Sequence, residues 1–280
     1  MTGPAIRAMT AADLGVVLGW AEAEGWNPGL DDAQAFHAAD PAGFLLAEVG
    51  GEPVASLSIV RFAGTGFLGL FICVPGQRGR GHGAALWREG LDRLAPGGMP
   101  VGLDGVPAQQ ARYGRSGFAP SHRTLRHAGR IETWAPDPTR PLARADLPAA
   151  RALDRAVTGF DRGAFLTDWL GGGPRRITRV LERDGALAGL GTLRACVSGW
   201  KVGPLLAADR RAAEGVLDGL AHVADGAPLS LDLPEPNGEA RAMAEARGLV
   251  PVFETARMWR GPAPKQDLAR TFGVATLELG

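Results

Sequence analysis

Apolar positions along the chain recur with two periods, helical and strand-like, and the order in which those periods alternate runs through the sequence twice. Residues 5–9 read as a short strand. Thr10 then precedes a helix whose Leu14, Val17, Leu18 and Ala21 share one face, with Asp13 placed to close a capping box. Glu24-Gly25-Trp26-Asn27-Pro28-Gly29 stops that helix, and Asp31-Asp32 opens a second one bearing Ala35, Phe36 and Ala39. Residues 44–49 and 54–62 are strand-like runs about Gly50-Gly51, a hairpin signal. Residues 67–74 are apolar without alternation, the pattern of a strand buried on both faces. A helix with Leu86, Trp87, Leu91 and Leu94 follows, then a break at Gly97-Gly98, a strand at 101–104, a short helix at 108–116 and a closing strand pair over 121–134.

Ala135-Pro136-Asp137-Pro138, with Pro141 behind it, reads as a linker over 135–141. Beyond it the order recurs: a strand at 142–145, helices at 147–157 and 160–170, and strands at 177–181 and 186–194 about the turn dipeptide Asp184-Gly185. A central strand at 200–206, a helix at 209–224, a strand at 229–233, a helix at 238–246 and two closing strands complete it. About 66 residues separate Gly51 from Gly117 and about 63 separate Gly185 from Gly248, a near-constant spacing that marks a structural repeat. The expected organisation is a first domain at 1–134, the linker, and a second domain at 142–280.

Candidate chemistry gathers where the 67–74 strand meets its helix, at Val74-Pro75-Gly76-Gln77-Arg78-Gly79-Arg80-Gly81-His82-Gly83-Ala84. Glycines free the backbone there, so that successive N–H groups can converge. The helix N-terminus adds partial positive charge in the same direction, which makes an anion site suited to phosphate or pyrophosphate. Arg78 and Arg80 strengthen it. A P-loop is excluded, because the stretch has no Lys followed by Ser or Thr. Gly79, Gly81 and Ala84 do match the dinucleotide fingerprint G-x-G-x-x-A, with Asp104 about 20 residues further on. Against that reading, residues 75–78 separate strand from glycines and three strand-like runs come earlier, so an NAD-binding dehydrogenase is the lesser alternative. Cys73 has no base paired with it in sequence and is not expected to be a nucleophile.

Arg78-x-x-Gly81-x-Gly83 resembles the Q/R-x-x-G-x-G/A motif of the GNAT N-acetyltransferases, and the element order over 5–134 resembles their fold. The resemblance implies an α/β protein of two tandem GNAT domains, each a mixed, mostly antiparallel central sheet flanked by helices. It implies that the loop from Arg78 through Gly79, Arg80, Gly81, His82, Gly83 and Ala84 holds the pyrophosphate of acetyl-CoA. It also implies that the backbone of Phe71, Ile72 and Cys73 pairs with the pantetheine arm. Tyr113-Gly114-Arg115-Ser116-Gly117-Phe118 is similar to the family's late Y-x-x-x-G-F segment. Tyr113, the only tyrosine, would then protonate the leaving sulfur, a role open to a phenol of pKa near 10.

The segment from Glu24 to Gly29, and Gly102-Leu103-Asp104-Gly105-Val106 with Gln109-Gln110, resemble a bacterial subgroup of tandem GNAT proteins. This places Glu24, Trp26 and Asn27 beside the acceptor and makes Glu24 and Asp104 the first candidates for the base. The alternatives are a core anchor for Trp26, a solvated helix end for Glu24 and a turn cap for Asp104. In the second half, Gly159-Phe160-Asp161-Arg162, Val202-Gly203-Pro204-Leu205, residues 234–237 and Thr255-Ala256-Arg257-Met258-x-x-Gly261 resemble the C-terminal domain of such proteins. Asp161 and Arg162 would contact the acceptor from there, or else form an ion pair or helix cap; Asp232 and Asn237 stand in the same position. The glycine loop has no counterpart in the second half, which is not expected to bind CoA in the usual way.

The 30 basic and 30 acidic side chains balance, which leaves no electrostatic footprint for nucleic acid. Two cysteines set far apart read as buried free thiols of a reducing cytoplasm. No leader pattern opens the chain, no apolar run reaches the ~20 residues that span a membrane, and the five histidines form no metal cluster. The expectation is a cytoplasmic, metal-free N-acetyltransferase, monomer or homodimer, that moves acetyl from acetyl-CoA to a small-molecule or peptide amine by direct attack. A non-catalytic acyl-CoA sensor is the alternative.

Overall fold

The computed structural model describes residues 3–94, 98–132 and 136–280. The first half contributes β1 (Ala5–Ala8), α1 (Ala11–Ala23), α2 (Asp32–Ala39), β2 (Phe44–Val49), β3 (Glu52–Phe62), β4 (Thr65–Cys73), α3 (His82–Leu94), β5 (Val101–Gly105), α4 (Pro107–Arg115) and β6 (Ala119–Gly129). The second contributes β7 (Arg140–Pro141), α5 (Leu147–Thr158), α6 (Gly163–Gly171), β8 (Arg176–Arg183), β9 (Ala186–Ala195), β10 (Trp200–Ala207), α7 (Arg210–Ala224), β11 (Leu229–Pro234), α8 (Gly238–Ala246), β12 (Val250–Arg260) and β13 (Thr271–Gly273). Local sequence explains many of the ends. Thr10 and Asp13 close the expected capping box on α1, and Asp209 caps α7 through the N–H of Ala212.

All the strands join one sheet in the order β1-β2-β3-β4-β5-β12-β6-β11-β10-β9-β8-β7, with β13 laid against β10. The β4–β5 and β10–β11 pairs are parallel and the remaining pairs antiparallel, so each half is a mixed, mostly antiparallel α/β unit. The halves exchange strands. β12 of the second half lies between β5 and β6 of the first, and β6 passes on to pair with β11. The closing pair expected over 121–134 is therefore a single long strand with partners from the other half. Trp134, its expected end, lies outside the described residues, as do Gly97 and Ala135. Buried charge pairs across the exchange: Arg126 on β6 meets its carboxylate, Asp232, on β11.

Two further expectations change. The strand at 142–145 is a 3-10 turn over Arg144–Asp146, and the short strand β7 lies just before it, inside the expected linker. The helix expected from residue 160 begins at Gly163, whose N–H bonds Asp161 Oδ1 at 2.8 Å. Helices α1, α2, α5 and α6 share one core across the two halves, where Phe36 stacks on Trp169 at 6.0 Å and Phe62 meets Phe160 at 5.6 Å. Asp32 ties the same interface by pairing with Arg194 and Arg176 of the second half. Among the described residues no helix is long and apolar enough to cross a membrane.

Candidate active site

β4 and β5 pair only as far as Leu68 and Leu103, then part. Just beyond, β4 bulges: Ser56 faces Ile72 and Ser58 faces Gly69, so Leu70 and Phe71 together oppose Leu57. Leu70 has φ +45°, a left-handed conformation rare for leucine, and its carbonyl accepts the Ser56 hydroxyl at 2.7 Å. A bulge beside an opening in a sheet turns backbone groups out of the ladder and into the gap. A 3-10 turn at Pro75–Gln77 then leads to Gly79 at φ +77° and Gly81 at φ +88°, and α3 starts at His82. Nothing lies within 4 Å of where a Cβ would sit on either glycine, so the cradle is open above them. The first-turn amides of α3 have no intrahelical acceptor, and His82, Gly83 and Ala84 line this opening.

A cleft of about 490 Å³ runs from the loop through the gap between the strands. Phe71, Ile72, Cys73, Arg78, Gly79, Gly81, His82, Gly83 and Ala84 line it, together with Glu24, Trp26, Asp104 and Tyr113. Trp87 packs between Phe71 and Tyr113, at 5.3 and 5.2 Å between ring centroids, and its indole N–H bonds Ser116 Oγ at 3.1 Å. Burial pushes the Tyr113 phenol up to about 12, against a smaller opposing pull from Arg112. Burial likewise pushes the Cys73 thiol up, against smaller opposing pulls from Arg78 and Arg112.

The far wall belongs to the strand exchange. Arg126 of β6 and Phe253 and Thr255 of β12 line it, joined by Leu277 and Glu278 from the segment after β13; of these only Thr255 falls in a stretch that the sequence singles out. Arg126 pairs with Asp232 through Nε–Oδ1 at 2.7 Å and Nη2–Oδ2 at 2.8 Å, and donates from Nη1 to the Trp26 carbonyl at 3.0 Å. Lys201 donates to the carbonyls of Trp26 and Asn27 at 3.1 and 2.9 Å, so the second half fixes the α1–α2 loop. Trp26 serves both of its readings: it lines the cleft and packs against the shared core.

The acidic candidates are differently employed. Glu24 ends α1 and accepts from Arg78, whose Nε also donates to the Cys73 carbonyl at 2.9 Å. The Arg78 side chain thus braces the loop against α1 and β4. The Asp104 side chain is buried and pairs with Arg257 of β12 at 2.9 and 2.8 Å, which replaces the turn cap of the alternative reading. Its carboxyl sits above the usual carboxylate range because burial outweighs the guanidinium beside it. That pairing also removes the carboxylate a dinucleotide site would need, and with it the NAD reading.

Other expected site residues do not reach the cleft. Arg80 is exposed and lies outside its lining. Asn27 exchanges two 2.9 Å hydrogen bonds with the Ser198 backbone, so its amide is spent on joining the halves. Asp161 holds the start of α6, and Arg162 is buried in a bidentate pair with Asp154 at 2.9 and 2.7 Å, the ion-pair and cap reading. Asn237 caps α8 and bonds three carbonyls of residues 268–271.

The second half repeats the splayed strands but fills the gap. β10 and β11 pair over Trp200–Val202 only; β13 then lies against β10 at Leu205 and Leu206, and the Val274 N–H bonds the Asp232 carbonyl at 2.8 Å. A strand of the chain itself occupies the slot that stays open in the first half.

An open slot between parallel strands, a bulge, a glycine cradle at a helix start and a buried phenol together define an acyltransferase site of the GNAT type. Family models agree: residues 12–118 match the acetyltransferase (GNAT) family and residues 150–273 an acetyltransferase (GNAT) domain. The chain is 31% identical over 269 residues to the holothin acyltransferase of Pseudoalteromonas sp. (strain SANK 73390), covering 95% of this chain and 90% of that protein. The chain belongs to the GNAT acyltransferase family, as a tandem member, and is an acyltransferase. In fold it is similar to a candidate acetyltransferase of Pyrococcus horikoshii, with TM-score 0.85 and 21% identity over 100% of this chain and 97% of that one. It is also similar to a tandem GNAT protein from the clavulanic acid biosynthesis pathway, with TM-score 0.64 and 17% identity over 92% and 99%.

Proposed function

We propose that the protein transfers an acetyl group from acetyl-CoA to the primary amine of a small molecule. The observation that carries this reading is the single cleft joining the glycine cradle, the β4 bulge and Tyr113. The residues present fit the cosubstrate. Gly79 and Gly81 leave the cradle open, and the amides of residues 79–84 suit a pyrophosphate. The backbone of Phe71, Ile72 and Cys73 lines the cleft beyond the point where β4 and β5 part, which suits pairing with an amide-bearing arm. Bound there, acyl-CoA supplies a thioester, an electrophilic carbonyl with a sulfur that can leave.

The chain's residues do the rest. Bulge N–H groups polarise the carbonyl. Tyr113, whose pKa of about 12 keeps it protonated at neutral pH, donates its proton toward the departing sulfur. One cleft of this size has to take both the cosubstrate's reactive end and the acceptor, which suits a compact amine. The relative named for acylating holothin makes holothin the first acceptor to try. Balanced charge and two cysteines that form no disulfide fit a protein, monomer or homodimer, working in the cytoplasm without nucleic acid or metal.

The test follows free thiol from acetyl-CoA with holothin and a panel of amines, and identifies the product by mass spectrometry. Amine-dependent thiol release with an acetylated product is expected. Thiol release that never depends on an amine, or none at all with every acceptor, would sink the proposal.

A further inference from the structure

Three carboxylates line the cleft: Glu24, Asp104 and Glu278. The first two are committed to Arg78 and Arg257. Among the described residues Glu278 has no arginine, lysine or histidine partner; its Oε2 accepts only the hydroxyl of Thr276, and the residue is buried in the lining of the cleft.

The backbone shows how it is held there. After filling the second half's slot with β13, the chain runs past Gly203, where a Cβ would collide with the carbonyls of Val274 and Ala275. It then reaches the first half's central strand, where a Cβ on Gly69 would collide with the Glu278 carbonyl. Gly280 lies on the Phe67 ring, and its carbonyl accepts from Arg162. Two close approaches that only glycine allows, and one buried arginine, therefore fix the segment on either side of Glu278.

From this geometry we infer that Glu278 is a catalytic residue: it binds the acceptor's ammonium and takes a proton from it, presented to the first half's cleft by the segment that plugs the second half's. The inference rests on the amine-acceptor reading above. Asp104 from β5, Arg126 from β6 and Arg194 from β9 face Glu278 electrostatically. Asp104 and Arg126 are neutralised within their pairs with Arg257 and Asp232, and Arg194 pairs with Asp32. An ammonium entering the cleft thus meets one carboxylate that needs a cation.

Protons balance as follows. One ammonium proton goes to Glu278 and on to water, and the freed nitrogen lone pair forms the C–N bond as the C–S bond breaks. The second proton, lost as the amide forms, makes good the one Tyr113 gives to sulfur. Ammonium and thioester yield amide, thiol and one proton.

The experiment compares wild type with Glu278→Gln on two acceptor series at pH 7: alkylamines, which arrive as ammonium ions, and arylamines, which arrive neutral. For alkylamines kcat/KM should fall by on the order of 100-fold, and for arylamines by only a few-fold. Calorimetry with CoA bound should show the alkylamine losing affinity in the variant by about tenfold or more, the direction expected when a charged partner is removed. Thr276→Val, which removes the hydroxyl that orients the carboxylate, should give the same selective loss at smaller size, and carries the test if Glu278→Gln does not fold. Equal losses for both series, or none, would overturn the assignment while wild type still acylates alkylamines. If wild type acylates no amine, the amine reading fails and this inference fails with it.

Discussion

Tyr113 is kept in its acid form by its surroundings, since a phenol packed on Trp87 beneath α4 resists becoming an anion. Tyr113→Phe should lower kcat by about 100-fold with little change in the KM for acyl-CoA. Because the folded pKa is raised to about 12, wild-type kcat should show no alkaline fall from this group until the pH nears that value. His122 on β6 responds in the opposite direction: burial, with help from Arg257, lowers it to about 4. Its unfolded value is about 6.5, so the unfolded chain takes up the proton first and stability falls as pH drops from about 6.5 toward 4. His122→Gln should remove on the order of 2 kcal/mol of the stability difference between pH 7 and pH 5, read from denaturant midpoints at each pH. Chemistry read from local motif, as for Tyr113 and the loop glycines, landed in the cleft. Residues whose partners lie far along the chain did not: nothing near Asp104 in sequence announces Arg257, and nothing near residue 278 announces a site.

At the scale of elements, the strand–loop–helix unit from β4 to α3 was legible because its cause is local. Gly79 and Gly81 adopt positive φ, which their sequence spacing already implied, and the hairpins at Gly50-Gly51 and Asp184-Gly185 turn through positive φ in the same way. Gly81→Val places a β-branched side chain at φ +88° in the cradle. The stabilisation that excess acetyl-CoA gives wild type, about 2.7 kcal/mol at 100 times its dissociation constant, should vanish in this variant. The unliganded protein should still unfold cooperatively, since the loop is exposed and outside the cores. A variant that keeps the full ligand-induced rise in Tm would place the cosubstrate elsewhere. β6 was not legible in the same sense. Its length and alternation were readable as strand, but a strand's pairing is fixed by partners, and those of β6 come from residues 229–234 and 250–260.

For the whole molecule, the chain boundary and the structural boundary part company. The proline-rich stretch lies between the two family-model matches, yet three strand interfaces cross between the halves: β5 with β12, β12 with β6, and β6 with β11. The shared core beneath α1, α2, α5 and α6 and the buried Asp32 pairing add to them. Separating the halves would bare several ladders of backbone hydrogen bonds, strip an apolar core and part the Arg126–Asp232 and Arg257–Asp104 pairs. Covalent continuity through the linker should therefore be dispensable once the protein has folded. A protease site inserted within residues 132–137 and cut in the native state should leave both fragments in one peak on gel filtration, with one cooperative unfolding transition and undiminished thiol release. Fragments that drift apart without denaturant would mean that the exchanged strands do not hold the halves together. The cleft would then be completed by the linker's tethering and not by the sheet.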